Sequence, residues 1–343
     1  MGTRRRRVSV IYFISKLVKW DDLRMEIISN PTQAEIKKAA QALKDGHLVA
    51  FPTETVYGLG ADATNENAVS RVYSVKARPT DHPLIVHISS INQLGKWAID
   101  IPEYAIKLAE EFWPGPMTLI LKRSEIVKDF ITGSQENVGI RVPNQQVALL
   151  LLKEFEKLGG YGVAAPSANK FGAVSPTSAN AVIEELGTDL DLPDLILDNG
   201  NCIIGVESTI IDCTSESPVV VRPGWLTIEQ ITECIGFSPR GVRLKHSLKA
   251  PGLLETHYSP KARVILDSMA GPEDGFIALA EIPTPLDAIR LASPKTIEEF
   301  AAVIYSALRA GDQKELNNIM VIQPSGGGLA FAIRDRLGKA AQK

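Results

Sequence analysis

The chain has 343 residues, long for one domain and natural for two, and its 45% hydrophobic and 22% charged residues are the balance of a globular protein rather than a disordered one. A formal net charge of −3 excludes a basic coat of the kind that drives non-specific nucleic-acid binding, although a local basic cleft is compatible with it. Cys202, Cys213 and Cys234 form no Cys-x-x-Cys pair, which argues against metal or redox work and makes them small buried side chains.

Residues 1–24 stand apart. Four arginines at 4–7 precede an apolar run at 8–14, which falls short of the about 20 residues that span a bilayer. No small-residue cleavage site follows, so a secretory signal is not expected. The segment reads as a disordered arm or the product of a start codon placed too far upstream, with an organelle transit peptide as the other reading.

From residue 25 the chain alternates β-type runs with helical stretches. A strand at 25–28 is followed by Thr32 and Glu35 at capping-box spacing, which satisfies N–H groups at a helix start. Ile36, Ala39, Ala40 and Leu43 repeat at helical spacing, and Gly46 sits where a helix stop belongs. A strand at 48–51 is broken by Pro52. Further strands are expected at 84–88, 117–121, 138–142, 163–165, 195–197, 208–212 and 219–221, with helices at 104–112, 147–158 and 179–186. Such alternation predicts an α/β domain whose sheet is covered by helices.

The texture changes over 240–262, a mostly basic stretch with Pro251 and Gly252 in its middle and no periodicity, which reads as a linker. Strands at 263–266, 276–279 and 319–322 and helices at 296–308 and 329–341 then predict a second, smaller α/β domain. Gly326, Gly327 and Gly328 make its last turn, either a plain tight turn or a backbone able to approach a phosphate. The expected organisation is an arm at 1–24, a catalytic domain at 25–239, a linker or lid at 240–262 and a smaller domain at 263–343.

Polar residues gather where the strands of the first domain end. The run 51–60 puts Thr53, Thr55 and Tyr57 at a strand exit, the edge that ligands of open α/β sheets favour. Lys76 and Arg78, two apart at a helix end, would point the same way on an extended chain and grip neighbouring phosphate oxygens; solvated surface cations are the alternative. His87 ends an apolar strand and by itself reads as a core histidine. Arg141 and Arg222 each terminate a strand and need an anion, a carboxylate or a structural salt bridge beside them, since a buried unpaired charge is costly. Ser167, Asn169 and Ser208 offer compact hydrogen-bonding groups suited to ribose, phosphate or an amino-acid backbone, or to ordinary turns. The phosphate-loop, dinucleotide and nucleophile-elbow motifs are absent, and five histidines without a His/Cys cluster argue against zinc.

Taken together, the segments at 52–60, 76–88, 113–121, 139–143, 165–169, 205–212 and 220–224 resemble the YrdC-like family of threonylcarbamoyl-AMP synthases, in the same order and at similar spacing. The linker motif at 257–260 and the ending at 332–341 resemble the family's long, two-domain form. The resemblance implies a twisted open sheet with helices and a central cleft, followed by a smaller Rossmann-like α/β domain. It implies synthesis of threonylcarbamoyl-AMP and pyrophosphate from L-threonine, bicarbonate and ATP, for threonylcarbamoyladenosine modification of tRNA by a separate transferase. By the same resemblance, Thr53, His87, Arg141 and Ser208 would hold threonine. Lys76, Arg78, Ser167, Asn169, Ser175 and Arg222 would surround ATP, with Lys76 and Arg78 neutralising the triphosphate and His257 and Tyr258 folding over the nucleotide. Mg2+ would accompany ATP, held mainly by phosphates and water. A cytoplasmic location without membrane contact is expected, and any tRNA contact would be indirect. The turn at 324–330 departs from the family pattern, and residues 1–24 have no counterpart in it. The alternatives are an RNA-binding module, disfavoured by only 6% aromatic residues, and a carbamoyl-transfer domain of hydrogenase maturation, whose companion zinc fingers and acylphosphatase are not visible.

Overall fold

A computed structural model describes residues 25–240, 251–252 and 258–342, so the arm at 1–24, most of the 240–262 segment and His257 lie outside the described residues. The first unit runs β1 (Glu26–Ser29), α1 (Gln33–Lys44), β2 (Val49–Phe51), β3 (Gly58–Asp62), α2 (Glu66–Lys76), β4 (Ile85–His87), α3 (Leu94–Trp97), α4 (Glu103–Phe112) and β5 (Met117–Lys122). It continues through α5 (Asp129–Thr132), β6 (Asn137–Arg141), α6 (Gln146–Lys157), β7 (Val163–Ala164), α7 (Ala179–Leu186), β8 (Leu195–Asp198), β9 (Thr209–Asp212), β10 (Val219–Arg222) and α8 (Ile228–Ile235).

The capping box at the start of α1 forms as its spacing requires: the Thr32 hydroxyl accepts from the Glu35 amide while Thr32 N–H donates to the Glu35 carboxylate at 2.7 Å. The apolar stripe that follows, Ile36, Ala39, Ala40 and Leu43, is buried with Val147, Leu151 and Phe155 of α6. Ten strands form one mixed sheet in the order β1-β8-β2-β3-β7-β4-β6-β5-β9-β10. Its centre matters most for function. β4 and β6 run parallel with His87 opposite Arg141, so both side chains leave the sheet at the same edge. β5 and β9 are also parallel, bringing Thr209 beside Met117, and β10 returns antiparallel along β9 with a register shift between Val220 and Arg222. That irregularity re-aims the last residue of β10.

The second unit runs β11 (Arg263–Leu266), β12 (Gly275–Ile277), β13 (Ile289–Ala292), α9 (Ile297–Gln313), β14 (Asn318–Val321) and α10 (Leu329–Ala340). Its four strands are all parallel in the order β11-β14-β12-β13. Phe300, Ile304, Ile333 and Leu337 of the two helices are buried with Val264, Ile277, Ile319 and Val321 of this sheet, and the same cluster takes in Val56, Val174, Ile204 and Val206 of the first unit. Backbones touch there as well. Gly205, at φ +78°, lies so close to α9 that a Cβ would stand 2.3 Å from the Ala301 carbonyl oxygen.

Candidate active site

The cleft opens at the edge where β4, β6 and β10 end, enclosing about 560 Å3 of space open to solvent. Thr53, Arg78, His87, Arg141, Ser167, Ser208, Arg222 and Tyr258 line it together. These eight residues come from strand ends and turns spread over most of the chain.

Arg141 is 4% exposed. Its Nε donates to the Gly115 carbonyl at 3.2 Å and its Nη1 to the Thr55 hydroxyl at 2.9 Å, while Nη2 stands 2.6 Å from the buried Glu54 carboxylate. A guanidinium carries five N–H donors, so this arrangement leaves capacity for a further carboxylate. Thr53 staples the turn: its hydroxyl donates to the Val56 carbonyl at 2.6 Å and accepts from the amides of Thr55 and Val56. His87 is buried, its Nδ1 has no hydrogen-bond partner, and burial followed by the nearby Arg141 charge pushes its pKa down to about 3. The ring is therefore a neutral imidazole at physiological pH.

On the other side, Arg222 donates from Nε and Nη2 to the Ser208 carbonyl at 3.1 and 3.0 Å, and from Nη2 to the Ser208 hydroxyl at 3.1 Å. Its Nη1 reaches the Pro251 carbonyl at 2.9 Å. Ser208 also shares a hydrogen bond with Thr118 at 2.8 Å. Arg78 donates to the carbonyls of His82 and Pro83 and lies 5.5 Å over the Phe171 ring, with burial lowering its pKa to about 10.

Lys76 takes a different course from the one an extended chain would give it. It closes α2, and Ala77 turns left-handed at φ +50°, so the Lys76 ammonium runs under the cleft and donates to the carbonyls of Ser167 and Asn169. Burial, then the Arg78 charge, lowers its pKa well below the usual lysine range. Asn169 spends its amide on the carbonyls of Lys170 and Ala173, and Ser175 donates to Glu207 at 2.7 Å. Ser167 thus lies on the wall of the cleft, while Lys76, Asn169 and Ser175 lie behind it.

Three contributors, Glu54, Glu207 and Gly252, carry no mark of function in isolation, and Thr55 stands out only as one hydroxyl at a strand exit. Glu54 and Thr55 sit within the first polar run, where nothing local announces that they will meet Arg141. Glu207 precedes Ser208 and is fully enclosed: burial would raise its carboxyl, but Arg336 and Arg222 outweigh burial and hold it at about 2. Gly252, at φ +80°, passes so close that a Cβ would lie 2.4 Å from the Tyr258 hydroxyl oxygen and 3.2 Å from Arg222. Tyr258 stacks on Tyr305 with ring centroids 5.6 Å apart. Cys202 and Cys213 are buried, and burial raises both thiols, which keeps them protonated. Among the described residues no group of three or more His, Cys, Asp or Glu side chains is placed to hold a metal, and no helix is long and apolar enough to cross a membrane.

The model of the Sua5/YciO/YrdC family, described as telomere recombination, matches residues 41–224, and that of the threonylcarbamoyl-AMP synthase C-terminal domain matches residues 226–342. A threonylcarbamoyl-AMP synthase of Pyrococcus abyssi is 40% identical over 90% of this chain and 94% of its own. One from Bacillus subtilis is 37% identical over 93% of this chain and 96% of its own. The crystal structure of P. abyssi Sua5 complexed with L-threonine superposes with a TM-score of 0.83 at 38% identity over 92% of this chain and 97% of the other.

Proposed function

Because this chain belongs to the Sua5/YciO/YrdC family of threonylcarbamoyl-AMP synthases, we propose an assignment of its cleft residues to the steps of that reaction. The chain is an ATP-using nucleotidyltransferase that makes threonylcarbamoyl-AMP for tRNA modification. The threonine amine adds to bicarbonate with loss of water, giving a carbamate. A carbamate oxygen attacks the α-phosphorus of ATP, the bond to the β-phosphate oxygen breaks, and pyrophosphate leaves with the electron pair. Such chemistry needs in-line placement and charge stabilisation, with no covalent nucleophile on the protein.

The observation that carries the assignment is the convergence of Arg78, Arg141 and Arg222, all buried, on one cleft. Buried guanidinium groups beside polar substrate pockets are suited to phosphate and carboxylate recognition. We assign Arg141 to the threonine carboxylate, with Thr53, His87 and Ser208 around the rest of the amino acid. The L-threonine complex of the P. abyssi relative supports an amino-acid subsite in this fold. His87 fits that role because its neutral ring keeps an unpartnered nitrogen at the buried end of the cleft.

Arg78 and Arg222 are assigned to the ATP phosphates, with Ser167 and Tyr258 beside the nucleotide. Lys76, Asn169 and Ser175 act from behind. Lys76 fixes the carbonyls of Ser167 and Asn169, and Ser175 holds Glu207. Mg2+ would enter with the triphosphate, since Glu54 and Glu207 are both committed to guanidinium groups and offer no ligand cluster. The ion would offset phosphate charge there. The product passes to a tRNA threonylcarbamoyl transferase, and the cytoplasm is the compartment where ATP, threonine and tRNA meet.

The test is pyrophosphate release from ATP with and without L-threonine and bicarbonate. Release that needs both co-substrates and collapses in Arg78→Ala is the expected result. Equal release without threonine would remove the roles given to Arg141 and His87.

A further inference from the structure

The residues flanking the nucleotide side are held from the second unit. Glu207 and Ser208 are adjacent in the chain, yet their side chains are gripped from opposite directions. Ser208 belongs to Arg222, through its carbonyl and its hydroxyl. The Glu207 carboxylate belongs to α9 and α10: Arg336 Nε approaches it at 2.8 Å, and the Tyr305 hydroxyl lies 2.9 and 3.1 Å from its two oxygens. Arg336 also donates to the Pro223 carbonyl at 2.9 Å, immediately after Arg222.

One turn further along α10, Lys339 donates to the Gly252 carbonyl at 2.9 Å and pairs with Asp335 at 2.8 Å. Consecutive carbonyls of the Pro251-Gly252 segment are therefore held by Arg222 of the first unit and Lys339 of the second.

We propose that Arg336 is a positioning residue for the nucleotide side of the cleft: by neutralising Glu207 it leaves Arg222 bound to Ser208 and Pro251, with its charge available to the ATP phosphates. The proposal rests on the assignment of Arg222 to ATP made above. Two buried cations, Arg222 and Arg336, stand near the buried Glu207 carboxylate, and Arg336 also pairs with Asp335 at 2.6 Å. A buried charge stripped of its partner is strongly unfavourable. Without Arg336, the nearest compensation for Glu207 is Arg222, which would have to surrender its bonds to Ser208 and Pro251. The carboxylate clamp of the threonine side has no such dependence, because Arg141 is neutralised by Glu54 of the same unit at 2.6 Å, and Ser208, shared by the two sides, keeps its hydrogen bond to Thr118 at 2.8 Å. Arg336 acts at a distance from the reacting atoms and touches no substrate.

The experiment uses the full chain and four proteins: wild type, Arg336→Gln, Arg336→Lys and the double variant Glu207→Gln/Arg336→Gln. Calorimetric titration with ATP and, separately, with L-threonine is read beside pyrophosphate release. In Arg336→Gln the Kd for ATP is expected to rise about tenfold or more while that for threonine stays within about threefold. Arg336→Lys, which keeps the charge and loses the fork, falls between.

The double variant removes the stranded Glu207 charge and leaves Asp335 paired with Lys339 at 2.8 Å, so its ATP affinity is expected to return to within about threefold of wild type. It decides the matter if Arg336→Gln does not fold. A double variant as weak for ATP as the single one, or losses shared equally by ATP and threonine, would overturn the proposal. Wild-type protein that binds both ligands without releasing pyrophosphate would count against the reaction assignment and leave the binding comparison to judge Arg336.

Discussion

The two sides of the cleft solve the same electrostatic problem with different reach. Arg141 and Arg222 both terminate strands and both stand near a buried acid. Arg141 meets Glu54 and Thr55 from a turn of its own unit. Near Arg222, Glu207 is answered by Arg336, 129 residues further along the chain on a helix of the other unit. On the assignment proposed above, the threonine side draws its ion pair from the first unit alone, whereas the nucleotide side is complete only when α9 and α10 have docked. A strand-end arginine is a local feature; its electrical state is a property of the assembled molecule.

The strongest way to break this comparison is Arg141→Ala. It strands Glu54 in the interior, and a loss of about 3–5 kcal/mol of stability together with all threonine-dependent pyrophosphate release is expected. Thermal melting and the release assay check both, and a variant that still turns over with an unchanged Tm would remove the local pair from the account. Next in size is Gly252→Ala, where a left-handed backbone and the 2.4 Å approach to Tyr258 leave no room for a methyl group. KM for ATP should rise about tenfold and KM for threonine should hold, which a two-substrate titration separates.

Acid sharpens the comparison because each side carries a group of depressed pKa. Glu207 lies at about 2 in the fold against 4.5 unperturbed, so its contribution is present above about 4.5 and fades as pH falls towards 2. His87 lies at about 3 against 6.5, so the unfolded chain takes up that proton first and stability falls from about 6.5 down to about 3. Both slopes have the same sign. In acid melting curves, His87→Gln should flatten the upper window and Glu207→Gln the lower; an unchanged upper slope in His87→Gln would mean that the imidazole is not held neutral.

Smaller again is Tyr305→Phe, which removes one donor from Glu207 and is expected to cost about 1 kcal/mol with a few-fold rise in KM for ATP only. The smallest is Thr32→Ala, remote from both sides, which loses the cap of α1 for about 0.5–1 kcal/mol and leaves both KM values unchanged.

Much of the framework was legible where local chemistry decides the outcome. The Thr32/Glu35 box, the stripe of α1 and the arginines that end β6 and β10 all stand where short-range patterns put them. Several elements escaped, the short α3 and α5 among them, and three are instructive. β3 is short and rich in glycine, so its buried pairing with β2 and β7 leaves little trace in propensity. β13 is four half-buried residues at a sheet edge. α8 does carry a signal that a search for caps would find, the Thr227/Gln230 box.

The site was legible as a set of strand ends and hidden as a network. Lys76 passes beneath the cleft because Ala77 adopts a left-handed turn, a conformation that alanine does not advertise. Glu207 resembles any acid in a loop until Tyr305 and Arg336 arrive from more than 90 residues away. Contacts of that range depend on tertiary packing, which no local window contains.

The apolar cluster that joins Val174, Ile204 and Val206 to Phe300, Ile304 and Tyr305 bears on how the molecule comes apart. Side chains buried mutually lose their cover together, so melting of either unit strips cover from the other along this seam. Heating should give one calorimetric transition whose enthalpy belongs to the whole, and the ATP-binding capacity should vanish with it in a single step. A cut that separates the units would expose a greasy surface on each, making the severed halves prone to aggregate rather than to persist as independent modules.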